Sequence, residues 1–187
     1  MKEDVYQLKI TLKGSKPPIW RIILVDPETL LVDLHRILQT TMGWTNSHLH
    51  LFTDQKYEYA PEEFEIEEAK DSRTVKLKDI LYQENQKILY EYDFGDDWEH
   101  EIRLEKIIKD EGGEQIPRCI KGKRNSPPED CGGIGGYEAL LKTISDPEEE
   151  EHDEMLDWLG GEFDPEYFNM EEINELLKQE DFGCLWL

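Results

Sequence analysis

Residues 5–13, VYQLKITLK, alternate strictly between two classes. Val5, Gln7, Lys9 and Thr11 fall on one side, and Tyr6, Leu8, Ile10 and Leu12 on the other. Successive side chains of a strand point to opposite faces, so this pattern predicts a strand buried on one face. GSKPP then turns the chain, and IWRIILV (19–25) reads as the second strand of a hairpin. Asp26-Pro27 closes that strand, and from Thr29 the period becomes helical. Leu30, Leu31, Leu34, Ile37, Leu38 and Met42 form one apolar stripe. Thr29 can cap this helix, or Asp26 can with Pro27 in the first turn, and Gly43 ends it. HLHLF (48–52) predicts a third strand, 53–77 a polar, acidic loop with short strand fragments, and KLKDIL (76–81) one helical turn.

Residues 87–94 and 98–108 complete the pattern as strands four and five. The expected fold class is α+β: a mainly antiparallel sheet of about five strands in β-β-α-β-β-β order. One helix packs across it, and C-terminal helices follow. Residues 109–135 are rich in Gly and Pro but carry the apolar anchors Ile116, Cys119, Ile120 and Ile134, which predicts an ordered loop. Helical spacing returns at 137–144, 148–159 and 170–177; Asp146-Pro147 suits the start of the second helix, and Asn169 caps the third. The apolar tail FGCLWL is expected to dock on the core. The chain therefore reads as a single domain, 1–187, made of an α+β sheet core (1–110), an ordered Gly/Pro-rich loop (111–136) and an acidic helical part (137–187).

The segment YEYDFGDDWEHEI (90–102) poses a register question. A two-residue loop, Gly95-Asp96, pairs Tyr92 with Glu99 and puts acids on the aromatic face. A three-residue loop, Gly95-Asp96-Asp97, pairs Phe94 with Trp98, Tyr92 with His100 and Tyr90 with Ile102. A slip of one residue exchanges the faces, so burial selects the second. On that reading Asp93, Glu99 and Glu101 face away from the core, Asp96 and Asp97 form the tip, and His100 is a core histidine.

Charge changes the picture of what the chain can bind. The net charge is −23, and residues 127–187 hold 19 acidic against 2 basic side chains. Such a surface repels polyanions, so nucleic acid and anionic membranes are poor partners and a basic protein is the better one. No apolar run reaches the length of a membrane span, and the start, MKEDVYQLKI, lacks a signal-peptide core. Three cysteines, an odd number, suggest free thiols and a cytoplasmic location.

Candidate chemistry gathers at a few positions. His48 and His50, two apart on an expected strand, share a face and are candidate metal ligands, with Asp96, Asp97 or His100 nearest to complete a set. The alternative places Leu49 and Leu51 toward the core and both histidines toward solvent or a cleft. Together with Glu129, Asp130 and Tyr137 these residues outline a candidate binding cleft. CGGIGGY opens a helix, and Gly135 and Gly136 near Lys121, Lys123 and Arg124 suggest an anion site. Against it, no lysine follows the glycines and Glu129 and Asp130 repel phosphate; a tight turn is the plainer reading. No cofactor motif and no activated nucleophile are evident.

IWRIILV with LVDLHRILQTTMGWTNSHLHLF, then YEYDFGDDWEHEI, PPEDCGGIGGYEALL and DPEEEEHDEMLDWLGGEFDPEYFN together resemble the plasmid pRiA4b open-reading-frame-three-like family over nearly the whole chain. Some members are labelled resolvase-like passengers of insertion elements. The resemblance implies a link to mobile elements and no defined chemistry; no serine-recombinase motif is present. Related sequences often carry a cysteine where this chain has Ser126, so a zinc site built on that position lacks a ligand here; Cys119 and Cys131 stand twelve apart without a C-x-x-C pair. Two function classes remain: a non-catalytic binding or adaptor module, and a metal-assisted enzyme acting on a phosphoester or nucleotide.

Overall fold

A computed structural model describes residues 4–109 and 115–184. Its sheet has eight strands among the described residues, in the order β5-β4-β3-β6-β7-β1-β2-β8. The strands are β1 (Asp4–Leu12), β2 (Trp20–Val25), β3 (His50–Thr53), β4 (Glu58–Ala60), β5 (Lys70–Asp71), β6 (Lys87–Tyr92), β7 (Trp98–Lys109) and β8 (Arg118–Lys123). Every pairing is antiparallel except β4 with β5. The helices are α1 (Leu31–Met42), α2 (Leu77–Ile80), α3 (Gly133–Ser145), α4 (His152–Leu159) and α5 (Met170–Leu177). The fold is α+β as expected, with three more strands than the alternation of apolar residues reveals.

The alternating face of β1 (Tyr6, Leu8, Ile10, Leu12) and the stripe of α1 (Leu31, Leu34, Ile37, Leu38, Met42) are buried in one core. Neither expected cap of α1 is used. Its first N–H groups are accepted by backbone carbonyls of the neighbouring segment, Leu31 by Val75 (3.0 Å) and Val32 by Ser72 (3.4 Å). The C-terminal end does follow the sequence: Gly43 lies in the left-handed region (φ 76°).

The strand β8 falls inside the stretch expected to be loop. It extends the sheet beside β2, and a register shift at Ile22/Ile23 marks the join. Only Cys119 of its six residues is buried, so no alternation announces it. The α3 helix starts at Gly133, four residues before the expected Tyr137, and α4 starts at His152 rather than 148. Asn169 caps α5 by accepting from the N–H groups of Glu171 and Glu172. Of the tail, Phe182 packs on the core and Cys184 is buried; 185–187 lie outside the described residues, as do 110–114 of the Gly/Pro-rich segment.

The hairpin of β6 and β7 keeps the expected faces but not the expected register. Tyr92 pairs with Trp98 and Tyr90 with His100, so 93–97 form the loop. This two-residue slip leaves the aromatic face intact; Tyr90, Tyr92, Trp98, His100 and Ile102 are fully buried, while Glu99 and Glu101 remain partly exposed. Phe94, expected opposite Trp98, is 41% exposed. Asp93, expected to face outward, is only 8% exposed. The wider loop is held by Asp93 itself: its carbonyl accepts the Asp97 N–H (2.7 Å), and its Oδ1 accepts the Gly95 N–H (3.0 Å). Asp93 and Asp97 both adopt positive φ (58° and 57°), a conformation Asp tolerates better than most residues.

Candidate functional site

A cleft of about 770 Å³ opens between α1, the chain entering β3, the segment 61–64 and the β6–β7 loop. That volume suits a small molecule. His35 and Arg36 of α1, His48 and His50, Phe64 and Asp93 are among its walls.

Its floor is a stacked histidine pair. The rings of His35 and His50 lie 3.4 Å apart and 7° from parallel. His35 Nε2 meets Asn46 Oδ1 at 2.7 Å and Nδ1 meets the Tyr90 hydroxyl at 2.8 Å. An amide oxygen only accepts, so Nε2 carries the proton and Nδ1 accepts from Tyr90. Gln39 Nε2 in turn donates to the Tyr90 oxygen (3.0 Å), completing a directed chain. Burial lowers the His35 pKa to about 4, which keeps the ring neutral. Burial, with His35 beside it, pushes His50 well below its ordinary range as well. Both ring nitrogens of His50 are buried without a hydrogen-bond partner, and the Phe64 ring stands edge-on 5.2 Å away.

The mouth is acidic. His48 Nε2 lies 3.3 Å from Asp130 Oδ1 and 3.7 Å from Asp93 Oδ2, and the three donor atoms fall within 4.8 Å of one another. The first contact is misaligned for a hydrogen bond and the second is too long, so His48 Nε2 has no hydrogen-bond partner. The neighbour of Asp130, Glu129, is fixed from both sides. Its Oε2 accepts from the Thr45 N–H (3.0 Å) and hydroxyl (2.6 Å), and its Oε1 accepts from the Tyr92 hydroxyl (2.5 Å). Burial and the Glu129 carboxylate raise the Tyr92 pKa far above its usual value, so the phenol stays a donor. The Tyr92 oxygen also accepts the Ser47 N–H (3.0 Å).

The sequence-based set is thus divided. His48 and Asp130 converge, joined by Asp93. His48 and His50 both line the cleft, His48 half-buried at its mouth and His50 buried deeper. His50 lies inside with Phe52, and Leu49, which the alternative reading placed toward the core, is 44% exposed, on the side opposite His50. Glu129 supports the site through Tyr92. Asp96 accepts the Gly132 N–H (3.0 Å) at the start of α3, and Asp97 is a turn residue. His100 is buried in the core, edge-on to Trp44 at 5.2 Å, and Tyr137 packs with Phe163. The basic cluster is not aimed at the glycines. Arg124 pairs with Glu166 (2.6 Å) and donates to the Pro17 carbonyl, while Lys121 and Lys123 lie on β8. A Cβ at Gly136 would meet the Cys131 carbonyl oxygen at 1.8 Å, so that glycine serves close packing, and Gly135 faces open space.

Asp93, His35 and Asn46 are the site residues that sequence reasoning missed. His35 is masked by the apolar stripe around it, and Asp93 by the wrong hairpin register. A polar side chain on the buried face of α1 was the available signal.

The fold and site define an α+β chain with one wide sheet, α1 across its face and a histidine-floored cleft beside β3 and the β6–β7 loop. The chain belongs to the family described as plasmid pRiA4b ORF-3-like protein, whose profile matches residues 4–172. It is 34% identical to the uncharacterized protein y4hQ of Sinorhizobium fredii, covering 100% of this chain and 96% of that one. It is also similar to the crystal structure of a protein of unknown function, MM3350, from Methanosarcina mazei Go1, with a TM-score of 0.85, 38% identity, and coverage of 92% and 98% of the two chains.

Proposed function

We propose that this protein is a non-catalytic binding module that takes a small ligand in the cleft between α1 and the β6–β7 loop. The observation that carries the reading is His50: a buried imidazole on the cleft wall with both nitrogens unpartnered. Leaving such a group unpaired costs about 1–3 kcal/mol, which a ligand that parts the cleft wall and bonds to it recovers. A neutral imidazole offers one donor and one acceptor, so the matching ligand presents a complementary pair. The exposed Leu49 and Phe94 supply apolar contact at the rim. A protein-observed NMR screen of metal-free protein against a fragment library tests this. Hits should shift His50, Leu49 and Phe94 and vanish in Leu49→Trp, which fills the mouth. A screen with no cleft-specific hit sinks the reading.

A second reading, a metal-assisted enzyme on a phosphoester or nucleotide, draws support from the convergence of His48, Asp93 and Asp130. The cations of the cleft speak against a phosphate-bearing substrate: Arg73 is paired with Glu62, Glu63 and Asp71, and Arg36 with Asp33 and Asp181. Hydrolysis of a nitrophenyl phosphodiester in Mn²⁺ should stay at background; turnover lost in Asp93→Asn would reverse the ranking. For an adaptor role, the 19 acidic side chains of 127–187 support a partner with a basic surface. The thiols Cys119 and Cys131, which form no disulfide, support a reducing, cytoplasmic setting. No helix among the described residues is long and apolar enough to cross a membrane.

A further inference from the structure

We propose that His48, Asp93 and Asp130 bind one first-row divalent transition-metal cation at the mouth of the cleft, with its remaining coordination positions open to the ligand. This deepens the binding-module reading and rests on it only for what fills those open positions.

The spacing is that of ligands around one ion. Donors held roughly 2.0–2.2 Å from a cation stand about 3.0–3.5 Å from one another. His48 Nε2 is already 3.3 Å from Asp130 Oδ1 and 3.7 Å from Asp93 Oδ2. Neither contact is a hydrogen bond: the one to Asp93 is too long and the one to Asp130 is misaligned. A ring nitrogen set beside two carboxylate oxygens without a hydrogen bond to either is placed as a metal ligand would be.

One of the ligands is held in advance. The Asp93 side chain is 10% exposed and its Oδ1 accepts the Gly95 N–H, which leaves Oδ2 turned to His48. Its backbone N–H is tied to the Leu49 carbonyl (2.9 Å), next in the chain to His48. Asp130 is more exposed, but it follows the anchored Glu129 and adopts a left-handed conformation (φ 60°). Orientation of metal ligands by such outer hydrogen bonds is a general feature of metal sites.

Charge calls for a cation at this place. Two carboxylates meet at one imidazole here, and the Asp93 side chain is nearly buried. Among the described residues the ion pair found for Asp93 is with His48, and the arginines of the cleft are engaged by other acids. One nitrogen and two carboxylate oxygens favour Mn²⁺, Co²⁺ or Zn²⁺ over Mg²⁺ and Ca²⁺, which prefer oxygen alone. With three protein ligands the ion keeps open positions on the cleft side, as binding and catalytic metal centres do.

The test is calorimetric titration of the full chain with Mn²⁺ and with Zn²⁺, for the wild type and for Asp130→Asn, His48→Gln and a control, Asp157→Asn on α4. Asn retains the left-handed backbone at 130, so that variant folds, which a melting curve verifies. One equivalent should bind to wild type and control, and affinity should fall at least ~10-fold in both site variants. Pulsed EPR of the Mn²⁺ form should show one imidazole nitrogen coupling, absent in His48→Gln. No one-equivalent binding at millimolar metal, or equal affinity in all four proteins, overturns the site. The fragment screen separates the two readings: fragment hits without metal binding remove only the metal, and metal binding without hits removes only the small ligand.

Discussion

His50 shows how one residue can trade stability for recognition. Its ring is buried, stacked on His35 and unpaired at both nitrogens. Replacing it with Leu removes the polar atoms while keeping an apolar body of similar size. His50→Leu should therefore raise stability at neutral pH by about 1 kcal/mol, measured by urea denaturation, while abolishing fragment binding. Tyr92 is the opposite case. Its hydroxyl both donates to Glu129 and accepts from Ser47, so Tyr92→Phe leaves a carboxylate and an N–H short of a partner. That variant should lose about 1–3 kcal/mol in the same assay. Neither role is legible from residue type. Alternation gave the face of Tyr92, but which polar atom its ring would reach depends on residue 129, 37 positions later.

Among the elements, the start of α3 separates two glycines that look alike in CGGIGGY. Gly136 packs against the Cys131 carbonyl, where a Cβ would stand at 1.8 Å; Gly135 has nothing within 4 Å. Gly136→Ala should destabilise by about 3 kcal/mol or more, because backbone cannot step aside as a side chain does. Gly135→Ala should be neutral or stabilise by about 0.5–1 kcal/mol through helix propensity. Paired thermal melts check both. The legible elements are those whose apolar period runs long enough to define a face: β1, β2, α1 and α5. The strands that escaped are β4 and β5, of three and two residues, and β8, whose outer position beside β2 leaves one buried side chain. Edge strands expose a face and a flank to water, so their sequences resemble loops. The β6–β7 register failed for another reason. Burial distinguishes odd from even slips and is blind to a slip of two, which the hydrogen bonds of Asp93 decided.

On the scale of the whole molecule, buried histidines set the response to acid. His35 and His100 are each held near pKa 4 by burial, below the ordinary 6.5, and burial pushes His50 well below that value too. The unfolded chain therefore binds more protons than the folded one between these values. Their contribution to stability is intact above about pH 6.5 and is lost as pH falls toward 4. Denaturation midpoints should be level from pH 7 upward on this account and decline steadily from pH 6.5 to 4, with a shallower decline in His50→Leu. A midpoint that does not fall across that window removes the buried, neutral histidines from the picture. The fold class and single sheet were readable because they follow from summed periodicity. The site was only half readable, because its members come from the approach to β3, the β6–β7 loop and the approach to α3, and no local pattern spans those distances.

That dispersal has a consequence for the order of events during synthesis. The imidazole of His48 leaves the ribosome first, the carboxylate of Asp93 follows some forty residues later, and Asp130 comes almost as late again. A nascent chain can grip an ion with all three only when more than two thirds of it has emerged. Capture of the cation would then report completed assembly rather than guide its beginning.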